Sequence, residues 1–102
     1  MNKLKALLVT SSGQIAEISI DNTLEALQKT VGGYIETVRI CTGAVAIVNE
    51  EGRLLGFPVN RALPFFVGDV LIVGDDGSDE FASLTDEQIN SLRQIIKGGK
   101  KQ

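Results

Sequence analysis

Histidine and tryptophan are absent from this 102-residue chain, and cysteine, methionine and tyrosine occur once each. Without histidine the commonest general base is missing, and neither Ser/His nor Cys/His nucleophile pairs can be built. A zinc site needs several Cys or His ligands at short spacing. Cys41 alone cannot supply one, and it has no partner for an internal disulfide. The expectation is therefore no metal, no cofactor, no catalytic residues and no enzyme. Lying in Val38-Arg39-Ile40-Cys41, the thiol is expected as a small buried hydrophobe. A single unpaired cysteine also points to a reducing compartment. No excess of positive charge exists either: 10 basic against 13 acidic side chains give a formal charge of −3. That balance provides no electrostatic footprint for duplex nucleic acid. Long apolar runs are missing too, none approaching the roughly 20 residues that cross a bilayer. The apolar start Leu4 to Val9 stops at Thr10-Ser11-Ser12-Gly13, too short for a signal-peptide core. A cytoplasmic protein with no membrane partner is expected.

Hydrophobic residues make up 43% of the chain, enough to bury a core without staples. One domain over residues 1–102 is expected, with 97–102 a flexible basic tail. Lys3 to Val9 and Ile15 to Ile20 read as strands, the second with clean alternation. A helix follows, capped by Asp21 or Asn22, with Leu24, Leu27, Gln28 and Val31 at helical spacing and Gly32-Gly33 ending it. Tyr34 to Cys41 alternates as a strand. Ala44 to Val48 is a nearly continuous apolar run, suited to a strand covered on both faces. Asn49-Glu50-Glu51-Gly52 reads as a hairpin turn returning through a sixth strand, Arg53 to Gly56. Both prolines fall in Phe57 to Pro64, a stretch without period that reads as an ordered loop, with one helical turn at Asn60 to Leu63. Val70 to Val73 is a strand, and Gly74 to Glu80 an acidic mobile loop. The last helix opens with Thr85 and Gln88 in capping-box spacing, carries Ile89, Leu92, Ile95 and Ile96 as its apolar stripe, and stops at Gly98. The sum is an α+β domain: about six strands in an antiparallel or mixed sheet, with two helices packed on one side.

Four segments resemble one uncharacterised family, domain of unknown function 3846. They are Leu27-Gln28-Lys29-Thr30-Val31-Gly32-Gly33-Tyr34-Ile35-Glu36, Asn49-Glu50-Glu51-Gly52, Pro58-Val59-Asn60-Arg61-Ala62 and Val67-Gly68-Asp69-Val70, in the family's order. The resemblance implies a domain of bacteria, archaea, phages and mobile elements with no established activity. It implies a setting and no mechanism.

Function has to be sought in the remaining chemistry. Glu50-Glu51 and Asp75-Asp76 are adjacent carboxylates in turns, which point apart into solvent and lack an apolar wall to raise a pKa. Asp75 to Glu80 fails the ligand spacing of a calcium loop. Gly32-Gly33 follows a helix, whereas phosphate loops precede one. The loop Phe57 to Phe66 supports two readings. In one it is a cover, with Phe57, Val59, Leu63 and Phe65 plugging the sheet and Asn60 capping a turn. In the other, Asn60 and Arg61 present an amide and a guanidinium to a nucleobase edge or phosphate, with Tyr34 and Arg39 as companions. Two functions follow. The first is a non-enzymatic, phage- or mobile-element-type protein that sequesters a small anionic ligand, such as a nucleotide signal in counter-defence. The second is an adaptor or inhibitor of a host protein, acting through a sheet edge or through Phe57 and Phe66. Either is compatible with a homo-oligomer.

Overall fold

Alternation builds the edge strands, and continuous apolarity the two that are buried along their whole length. The computed structural model describes residues 3–100. Its strands are β1 (Lys3–Val9), β2 (Ile15–Asp21), β3 (Ile35–Cys41), β4 (Ala44–Asn49) and β5 (Val70–Gly74). Helix α1 (Leu24–Val31) lies between β2 and β3, and α2 (Asp86–Lys100) follows β5. The five strands form one sheet in the order β2-β1-β5-β4-β3, each neighbouring pair antiparallel.

Two of the sheet's properties correct the sequence expectation. Every residue of β4 and of β5 is buried, which demands a layer on each face of the sheet. Leu27 and Val31 of α1 pack with Val45, Ile47, Leu71 and Val73 on one face. Ile89, Leu92 and Ile96 of α2 pack with Ala46, Val70 and Ile72 on the other. The helices thus lie on opposite sides, not on one side. The sixth strand is absent as well. Strand β4 already has β3 and β5 as neighbours, so a chain returning from Asn49 finds no free edge beside it. Arg53 to Gly56 instead forms local turns, with Leu55 N–H donating to Glu51 C=O at 2.9 Å.

The ends of the helices follow capping chemistry. Thr23, rather than Asp21 or Asn22, accepts the Ala26 N–H at 3.1 Å and starts α1, because Asp21 is still extended in β2 opposite Lys3. Gly32 ends α1 at φ 84°, a conformation that costs a side chain and is free to glycine. The capping box on α2 forms as read: Thr85 N–H donates to Gln88 Oε1 at 2.8 Å, and Gln88 N–H to Thr85 Oγ1 at 3.1 Å. Gly98 does not stop α2, which runs on to Lys100; the remainder of the expected basic tail, Lys101 and Gln102, lies outside the described residues. Among the described residues no helix is long and apolar enough to cross a membrane.

Candidate functional site

The four residues proposed for a ligand do not converge. Asn60 is fully buried, and its amide is consumed inside the fold. Its Nδ2 donates to Val9 C=O at 3.0 Å and Gly68 C=O at 2.9 Å. Its Oδ1 accepts from Ala62 N–H at 3.0 Å and Leu63 N–H at 2.9 Å. Two donors and two acceptor directions are all an amide has, so Asn60 braces the loop and offers a ligand nothing. Tyr34, just before β3, is exposed and lines a depression beside Gly33 and Leu55. Arg39 is exposed on β3 and pairs with Asp75 at 3.3 Å. Arg61 is exposed, and its guanidinium makes no ion pair among the described residues.

Other residues of the resembling segments are also internal braces. Asn49, buried, donates to Val31 C=O at 3.1 Å and accepts from Glu51 N–H at 2.7 Å. A Cβ on Gly33 would stand 2.9 Å from that same Asn49 amide, which explains the second glycine. Asp69 accepts from Ser11 N–H at 2.9 Å, and Arg61 N–H donates to Ser11 C=O at 3.0 Å, so the loop is tied to the β1–β2 turn.

The phenylalanines sort differently from the sequence reading. Phe57 is half-buried against Gly52 and Gly68, and Phe66 packs on the α2-side core. Neither stands free as an interface anchor. Phe65, expected as a plug, is 84% exposed. It lines three adjoining depressions on the α2 side of the sheet. One, of about 610 Å³, is walled by Val38 and Ile40 of β3, Phe66, and Leu92 and Ile95 of α2. A second, of about 340 Å³, adds Arg61 and Pro64. The third, of about 290 Å³, contains Glu36, Glu50, Glu51 and Arg53 beside the 86% exposed Leu54. Ile95, read as part of the buried stripe, is 69% exposed and forms the groove's outer wall. Cys41 is exposed at the groove's far end, where a register shift after Arg39 interrupts the β3–β4 ladder; the buried-thiol expectation fails because an edge strand has no cover there.

Sequence reasoning overlooked Phe65, Ile95 and Leu54, although a signal existed. Each has an apolar neighbour: Phe66, Ile96 and Leu55. Consecutive residues are about 100° apart on a helix and on opposite sides of an extended chain, so Phe65 and Ile95 look away from the core that Phe66 and Ile96 meet; Leu54 and Leu55 sit in a turn and are both exposed.

Lys5 and Asp86 form an exposed pair at 2.7 Å, which raises the lysine's pKa and lowers the carboxyl's through the hydrogen bond and the charge. Asp76 is held low by hydrogen bonds from Ser78. No cluster of three or more His, Cys, Asp or Glu side chains able to hold a metal occurs among the described residues. The arrangement is an apolar depression with charged side chains at its rim.

The family model described as Domain of unknown function (DUF3846) matches residues 4–97, and the chain belongs to that family. No curated protein and no solved structure matches it.

Proposed function

We propose that the protein is a non-enzymatic binding module that engages a protein partner through the apolar groove beside β3. The observation that carries this reading is the groove of about 610 Å³ between β3, Phe65 and Ile95, on the sheet's unpaired edge. Large apolar side chains left in water around a depression are the usual mark of a recognition surface. In the mobile-element setting that the family resemblance implied, such a module acts as an adaptor or inhibitor of a host protein.

One observation favours a second reading. Arg61 and Phe65 line one depression, which brings a cation and an aromatic side chain to the same surface and suits a small anionic ligand such as a nucleotide.

The test uses the full chain and a variant carrying Phe65→Ser and Ile95→Ser, both shown to be folded by circular dichroism. Each is used as bait in the cell of origin, and captured proteins are quantified by mass spectrometry. A protein partner held by a central aromatic anchor should fall by about thirtyfold with the variant, the effect of roughly 2 kcal/mol. Native mass spectrometry on the same preparation reports retained small molecules. A retained nucleotide that is lost with Arg61→Ala, together with unchanged protein capture, would replace the first reading by the second.

A further inference from the structure

We infer that the groove's occupant is an extended segment of the partner, added to β3 as a further antiparallel or parallel strand, with a basic side chain above Glu36. The inference rests on the protein-binding reading above and goes further, to the shape and chemistry of what binds.

Strand β3 is an edge, and its register determines which backbone groups are open. Ile35 faces Asn49 and Thr37 faces Ile47, while Glu50 N–H donates to Tyr34 C=O at 2.8 Å. Tyr34 and Glu50 are therefore a hydrogen-bonded pair, and the pairs alternate along the ladder. Glu36 and Val38 turn their backbone groups toward β4; Ile35, Thr37 and Arg39 turn theirs outward. Three consecutive outward positions form a template for one more strand.

Side chains point the same way. Glu36 and Val38 face the α2 side, since their partners Val48 and Ala46 belong to that core. Residues of an added strand opposite Glu36 and Val38 would face the same side, Val38's neighbour reaching toward Phe66 and Ile95. Charge then selects the occupant. Glu36 shares its depression with Glu50 and Glu51 and makes no ion pair among the described residues. Arg53, the cation there, donates to Phe65 C=O at 3.3 Å. A second copy of the chain cannot supply the missing cation through β3. In a two-fold antiparallel pairing, facing residues share a side of the sheet, and Arg39 lies on the side opposite Glu36 and already meets Asp75. The complementary segment is a partner's strand whose one face carries Lys or Arg followed, or preceded, by apolar residues at every second position.

A phage-displayed random library of peptides of about ten residues, enough to span β3, is panned on the full chain, and an enriched peptide is synthesised with a fluorophore. Enriched sequences should alternate, with a basic and an apolar residue on one face. Binding by fluorescence anisotropy should weaken by about tenfold or more with Glu36→Lys, and with N-methylation of alternate peptide amides, while Glu17→Lys on the far edge leaves it unchanged. Peptides with helical spacing, or indifferent to N-methylation yet lost with Phe65→Ser, would overturn strand addition and leave the protein-binding reading standing. No enrichment, or binding untouched by both Phe65→Ser and Ile95→Ser, would remove both. A dimer in sedimentation that Thr37→Pro dissolves would give the edge to a second copy and overturn the inference.

Discussion

At the scale of single residues, the segments that mark the family are mostly joints. Asn60→Ala would remove four buried hydrogen bonds that fasten the loop to itself and to β1, at a cost of about 3 kcal/mol or more, read as a lowered denaturation midpoint. The glycines offer a sharper contrast. Gly32 and Gly68 both have positive φ, but a Cβ would stand 3.9 Å from its nearest neighbours at Gly32 and 2.7 Å from the Phe57 ring at Gly68. Gly32→Ala should therefore cost about 1 kcal/mol of backbone strain, and Gly68→Ala about 2–4 kcal/mol once overpacking is added. Equal costs in urea titrations would mean that Phe57 moves freely, and that its seat against the glycines contributes little. Arg61 contrasts with its neighbour Asn60, since its side chain is exposed and makes no ion pair among the described residues. A composition reading could list Asn60 and Arg61 together as polar loop residues; only the backbone's path separates the amide that points in from the guanidinium that points out.

At the scale of elements, α2 covers one face of the sheet together with the loop that carries Ala62, Leu63 and Phe66. Truncation before Thr85 removes Ile89, Leu92 and Ile96, which are buried. Three such side chains contribute on the order of 6 kcal/mol, comparable to a small domain's whole stability, so the truncated chain should lose its cooperative melt. Thr85→Ala, which breaks only the capping box, should cost about 1 kcal/mol and leave the melt cooperative. The Lys5–Asp86 pair joins β1 to the first turn of α2 and has a pH signature of its own. Asp86 has its pKa depressed on folding, so its contribution is present above 3.8 and lost as pH falls below that. Lys5 is shifted upward, so its contribution is present below 10.5 and lost as pH rises above it. Between those limits Lys5→Met should change stability by a small, pH-independent amount, because the pair is solvent-screened. Most elements were legible because period 2, period 3.6, glycine stops and the capping box are local signals. The sidedness of the helices was not local: nothing in the amphipathic stripe of α1 or α2 says which face of the sheet it will meet. The doubly buried run Ala44 to Val48 held that information, since one layer cannot cover both of its sides. The strand expected at Arg53 to Gly56 failed for a related reason, because its place depended on β5, a strand that comes later in the chain.

At the scale of the whole molecule, an apolar groove on a small domain could mean a loosely collapsed chain or a finished surface. The Cα radius of gyration is 12.7 Å, against about 13 Å for compact domains of this length, so collapse is complete. The groove is then a feature of the native surface, present while both cores stay packed. That difference is measurable with a hydrophobic dye such as ANS. A molten chain binds dye because its packing fluctuates, and any stabilising condition reduces the signal. Here the native protein should bind dye in the absence of denaturant and melt cooperatively in the same buffer. Phe65→Ser with Ile95→Ser should remove most of the dye signal and leave the melting temperature within about 2 °C, because side chains that are mostly in water contribute little to stability. The same pair of changes should raise solubility, as fewer apolar atoms meet at high concentration. Dye binding that survives both substitutions, or a melting temperature that falls by about 5 °C or more, would show that Phe65 and Ile95 pack inward in solution, and the groove beside β3 would lose its claim to be a binding surface.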